Sequence, residues 1–154
     1  MQSRNNEVIK HLETYGISIV GLCSGVLHTI GMAHHGLPEL ILSTRDQKMG
    51  HWLLNRTFLE LIDNGFREGI NNNIIELSNG EAAPILIKKT PLSDTMKEHY
   101  IYQAVAFYKL NPEYMKTGEI QLAQVIWPDK NNKFPTDNGY NQERYEQHIF
   151  TAFQ

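Results

Sequence analysis

One cysteine, Cys23, stands in 154 residues, so no disulfide can form within the chain. That usage favours a cytosolic setting, and a buried, inert thiol is the expectation for Cys23. No apolar run approaches the ~20 residues needed to span a bilayer, and the polar opening Met1-Gln2-Ser3-Arg4 has no apolar signal core. Basic clustering is also missing. The net charge is −3, and only Lys88-Lys89 and Lys130 with Lys133 come close together. A phosphate-neutralising stripe is therefore absent, and neither nucleic acid nor membrane is expected as a partner. The chain contains no Gly-x-Gly-x-x-Gly, P-loop, Gly-x-Ser-x-Gly or Cys-x-x-Cys pattern. Dinucleotide-binding dehydrogenases, P-loop NTPases, kinases and α/β-hydrolases are disfavoured accordingly.

What is present is ordinary globular material, 41% apolar and 20% charged, enough for a single domain over residues 1–154 with its own core. Val8, Ile9, Leu12 and Tyr15 recur at helical spacing before Gly16, which predicts a helix over 6–15. Ile17 to Leu22 and Val26 to Met32 read as strands around a Ser24-Gly25 turn, a hairpin. Met32 to Pro38 reads as a loop and Glu39 to Ser43 as a third strand. The Ser43–Asp46 stretch caps a helix running to Asn64-Gly65. Its apolar residues are Met49, Trp52, Leu53, Leu59 and Ile62, widened by Leu54, Phe58 and Leu61.

Asn71-Asn72-Asn73 and Ser78-Asn79-Gly80 look like turns around a short 74–77 strand. Strands follow over 84–89 and 119–127. A helix capped by Ser93 or Asp94 runs between them to Leu110, and Tyr145, Ile149 and Phe150 suggest a terminal helix within 138–154. Strictly alternating βαβ units are absent. The expected class is α+β, an antiparallel or mixed sheet packed by two main helices.

Three blocks carry a resemblance. His28-Thr29-Ile30-Gly31-Met32, Gly36-Leu37-Pro38-Glu39-Leu40 and Gln124-Val125-Ile126-Trp127-Pro128-Asp129, followed by Phe134-Pro135, resemble the domain of unknown function 4262 family of small bacterial and phage proteins. The likeness covers most of 16–140. Two positions depart from the pattern: Leu37 stands where a histidine is expected, and Thr136 where an aromatic is expected. The resemblance implies a soluble cytoplasmic domain and no established activity, and it names no cofactor.

His28, His34, His35 and His51, four of the seven histidines, fall within 24 positions. Imidazole is a frequent ligand and acid–base group, but this spacing matches no zinc signature. Glu39 at a loop–strand junction is either a base or cation ligand, or a carboxylate held by backbone N–H groups. Trp127 and Asp129 offer a stacking face and an acceptor. They can equally be a core anchor and an Asx turn with Asn131 and Asn132. Gln124, in an apolar strand, needs partners for its amide.

The leading expectation is a small-molecule binding module of nucleotide-like preference. Its cleft would be built from His28, Thr29, His35, Glu39, Gln124, Trp127 and Asp129, where the His28-Thr29 strand meets the strand of Gln124 and Trp127. The family's occurrence in phages adds the idea of sequestering an immune signal. One alternative is a hydrolase using His28, His34 or His35 with Glu39 or Asp129. Another is an interaction or inhibitor domain, with a homodimer as one form, using the aromatic segment around Tyr140, Tyr145 and Phe150.

Overall fold

The computed structural model describes residues 2–22 and 24–150; the expectation for Cys23 and the end of the predicted terminal helix, 151–154, lie outside the described residues. Helix α1 (Gln2–Tyr15) leads into strands β1 (Ser18–Gly21) and β2 (Val26–Ile30), then β3 (Glu39–Ser43) and helix α2 (Gln47–Asn64). Strands β4 (Gly69–Glu76) and β5 (Ala82–Lys89) follow, then helix α3 (Tyr102–Leu110) and strand β6 (Leu122–Ile126). The six strands form one sheet in the order β1-β2-β3-β6-β5-β4. Only the β3–β6 pair is parallel, so the sheet is mixed and the class is α+β.

β2, β3 and β6 occupy the middle of this sheet, and every residue of these three strands is buried. A strand covered on both faces needs apolar side chains at odd and even positions alike, which explains their unbroken apolar runs. Leu27, Leu40, Leu42, Ala123 and Val125 pack with Leu53, Leu54, Phe58 and Leu61 of α2. On the opposite face Val26, Ile30, Ile41 and Leu122 pack with Val8 and Leu12 of α1 and with Ala104 and Phe107 of α3. Gly50 lets α2 approach β2: a Cβ there would meet Leu27 and Thr44 side-chain carbons at 2.9 Å.

The α2 boundaries follow from local chemistry. Asp46 accepts the N–H of Met49 at 3.0 Å, and Gly65 at φ +84° ends the helix. The helical periodicity misassigned three residues. Trp52, Leu59 and Ile62 are 49%, 52% and 42% exposed, on the face away from the sheet.

The Asn71–Asn73 stretch is strand rather than turn. β4 is an edge strand, so Asn72 and Asn73 face water, while Asn71 turns inward and its amide donates to the Arg67 and Gly69 carbonyls. The pairing with β5 is irregular between Asn71 and Ile75, a bulge that blunts an exposed edge.

The predicted 93–110 helix has Ser93 as its cap, with its hydroxyl accepting the Met96 N–H at 3.2 Å. It is helical from 94, passes into a π-helical turn over Met96–Tyr100, and breaks at Ile101 before α3. The 138–149 segment is turn and coil instead of helix, and Phe150 is in a 3-10 conformation. Its one helical bond runs from Tyr145 N–H to Asn141 C=O, because its last backbone groups bond to the sheet.

β2 stops at Ile30. Gly31 sits at φ +114°, and a Cβ there would lie 2.9 Å from Leu12 Cγ and 3.3 Å from the Gly16 carbonyl. The chain then makes a 3-10 turn over Met32–His35 that ends at Gly36. Gly31→Ala is expected to cost about 1–3 kcal/mol from the forced positive φ, with a further cost from displacing Leu12. Urea unfolding of the two chains, compared at constant m, measures it.

Candidate functional site

The Gly31 turn serves a carboxylate. Glu39 begins β3, is completely buried, and is met by four donors. The Thr29 hydroxyl donates to Oε1 at 2.9 Å and the Met32 N–H to Oε1 at 3.2 Å. The Ala33 N–H donates to Oε2 at 2.9 Å and the Tyr108 hydroxyl to Oε2 at 2.5 Å. Each hydroxyl is itself held: Thr29 accepts the Leu40 N–H at 2.8 Å, and Tyr108 accepts the Gly31 N–H at 2.9 Å. With their lone pairs so engaged, both hydroxyls point their protons at the carboxylate.

No cation is among its hydrogen-bond partners. Burial pushes the Glu39 carboxyl up to about 7, against the downward pull of Tyr108, Ala33, Thr29 and Met32. Burial, and then the Glu39 charge, likewise push the Tyr108 phenol upward.

Tyr108 also forms part of the wall of a cavity of about 540 Å³. Leu92, Val105, Pro112, Met115 and Ile120 give this cavity an apolar lining, with Lys97, Lys109 and Glu119 also on its wall.

The other expected residues lie elsewhere. β2 and β6 do not meet, since β3 runs between them. His28 is opposite Ile41, and Ile41 is opposite Gln124, so the two polar residues share a face but stand two strands apart. The space over Gln124 is taken by the chain itself. Its amide donates to the His148 carbonyl at 2.5 Å and accepts the Phe150 N–H at 2.9 Å. The His148 N–H in turn donates to Ser43 Oγ at 3.0 Å.

His28 Nδ1 is 3.2 Å from the Thr29 carbonyl, which can only accept, so Nδ1 carries the proton and Nε2 is a bare lone pair. That buried Nε2 has no hydrogen-bond partner. Burial holds the ring well below its ordinary value, at about 4, so it is neutral at physiological pH.

The four clustered histidines do not converge. His34 and His35 pack edge to face at 5.6 Å on the 3-10 turn. His35 is exposed and bonds the Gly16 carbonyl at 2.9 Å. Burial, then the neighbouring His35 and Lys116, lower the His34 pKa. His51 is exposed on α2. Among the described residues no group of three or more His, Cys, Asp or Glu could hold a metal ion.

At the end of β6 the indole of Trp127 donates to the Ser43 carbonyl at 3.0 Å, and its ring lies 6.1 Å from that of Tyr145. Gln147 brackets the Trp127 backbone, its amide donating to the carbonyl at 2.6 Å and accepting the N–H at 3.4 Å. Asp129 Oδ1 accepts the N–H groups of Asn131 and Lys133 at 2.9 and 3.0 Å, and Oδ2 that of Asn141 at 3.0 Å. Its own desolvation raises its pKa, but these backbone donors outweigh that and lower it overall. Both oxygens are thus engaged in holding the 129–141 loop.

Residues 13–141 match the family described as Domain of unknown function (DUF4262). The chain belongs to that family. No curated protein and no solved structure matches it. The family blocks are also the structural junctions seen here. The first supplies Thr29 and the Gly31 turn, the second Glu39, and the third the Gln124 and Trp127 contacts.

Tyr108 was missed as a site residue. The available signal was a tyrosine on the apolar face of a helix, because a buried phenol must find a partner for its hydroxyl. Gln147 gave none, being one polar residue in a polar segment.

Two outcomes follow. Tyr108→Phe strands the Gly31 N–H and removes one donor from Glu39, an expected loss of about 1–3 kcal/mol in urea unfolding. The Glu39 carboxyl takes up its proton more readily folded than unfolded. Its contribution to stability is therefore fully present below pH 4.5 and is lost as pH rises through about 7. Unfolding free energies of the wild type and Glu39→Gln, measured across that window, should shift in favour of Glu39→Gln as pH rises.

Proposed function

We propose that this protein is a small-molecule binding module whose ligand occupies the cavity beside α3. The observation that carries the reading is the junction of Tyr108 with Glu39. A wall residue of the 540 Å³ cavity is hydrogen-bonded to a buried carboxyl pushed up to about 7. A concave, mostly apolar space backed by a perturbed titratable group is the usual form of a ligand site. Its volume falls in the roughly 300–1,000 Å³ range of such sites.

The lining defines the ligand class. Leu92, Val105, Met115 and Ile120 suit a flat or apolar body, and Lys97 and Lys109 suit an anionic group. Nucleotides and aromatic carboxylates both meet that description. Thr29 and Glu39 act behind Tyr108 as positioning groups, fixing the orientation of the phenol. His28, Gln124, Trp127 and Asp129 are left out of direct contact. His28 is fully buried, and the polar groups of the other three are engaged by the chain's own backbone.

The test is ligand-observed NMR with a panel of nucleotides and aromatic carboxylates. The expected result is saturable binding that Val105→Trp abolishes by filling the cavity. Lys97→Ala with Lys109→Ala should weaken it by about 10-fold. No binding by any panel member up to millimolar concentration overturns the reading. Turnover of a bound member, lost in Tyr108→Phe with the fold intact by circular dichroism, would make the same cavity a hydrolase site.

A further inference from the structure

The solvent-facing side of α2 carries a second seam, distinct from the one buried on the sheet. Lys48, Trp52, Asn55, Leu59 and Ile62 follow the 4-3-4-3 spacing of a helix-pairing seam, and all five are exposed. Trp52, Leu59 and Ile62 give it an apolar centre, at 49%, 52% and 42% exposure. The inward residues Leu53, Leu54, Thr57, Phe58 and Leu61 occupy the other side of the helix, so this seam contributes nothing to the core of its own chain.

Charge is segregated along it. The first half of the helix carries Lys48 and His51; the second carries Glu60 and Asp63, with Arg56 just past the middle and donating to the Ile74 carbonyl. Among the described residues the ion pairs are His11 with Glu7 and Arg45 with Glu146, so Lys48 and Asp63 have no ion-pair partner in the chain.

We infer that α2 pairs antiparallel with α2 of a second copy. In the register that sets Trp52 over Leu59 of the second copy, Lys48 falls opposite Asp63. Asn55 lies beside the two-fold axis, where a polar seam residue fixes register. A parallel pairing would instead set Lys48 on Lys48 and Asp63 on Asp63. Charge complementarity therefore selects both the occupant and its direction. One helix of 18 residues is a modest interface, about 27 Å long, so the dimer is a weak, concentration-dependent one.

Sedimentation velocity of the full chain from about 1 to 500 µM tests this. The expected result is a monomer–dimer equilibrium. Leu59→Glu should raise its Kd at least ~10-fold. Lys48→Glu and Asp63→Lys alone should each weaken the dimer, and the two together should restore it by restoring opposite charges. All three side chains are exposed, so circular dichroism should be unchanged. A monomer at every concentration overturns the inference, as does a dimer indifferent to Leu59→Glu. Failure of the double charge reversal to restore assembly overturns the antiparallel register.

Discussion

The central constraint on this fold is a buried carboxylate with no cation among its hydrogen-bond partners. An isolated charge in the core is very unfavourable, so Glu39 must be surrounded by donors. Meeting that demand ties together three separate parts of the chain: β2 through Thr29, the Gly31–Ala33 turn through its N–H groups, and α3 through Tyr108. The positive φ of Gly31 is part of the same arrangement, because it swings the next two N–H groups towards the carboxylate. A phenol anchored from below in this way has little freedom, which makes it a firm wall for the cavity above.

The sheet face holding His28 and Gln124 shows the other way a protein deals with buried polarity. Gln124 is satisfied by the chain's own terminal segment, which lies along it much as an added strand would. Ser43, Gln147 and Trp127 extend that closure to the ends of β3 and β6. Polar atoms used up in this manner hold separate parts of the chain together. The candidate site lies instead at the side of α3, where a cavity opens against Tyr108.

Much of the architecture was legible in the residues. β3 and the cap and stop of α2 follow from Asp46, Gly65 and an apolar run, since these depend on neighbours a few positions away. Asp129 as a turn hub was legible for the same reason: its partners Asn131 and Lys133 are two and four residues on. The errors concern longer distances. Asn71 to Asn73 became strand because β4 is an edge, and nothing local announces an edge. Trp52, Leu59 and Ile62 became surface because a helix with apolar residues on two sides does not say which side meets the sheet.

The sequence by itself determined the class of fold, most strand and helix segments, the family, and the chemistry stored in Glu39, Gln124 and Trp127. Those depend on local periodicity, turn residues and residue type. Only the tertiary structure decided that β3 separates β2 from β6, and that the terminal segment, not a ligand, meets Gln124. It alone paired Glu39 with Tyr108, 69 positions away. The physical reason is the same in each case: burial and hydrogen-bond partnership are set by which surfaces pack together, and no local pattern encodes the partner of a buried polar atom.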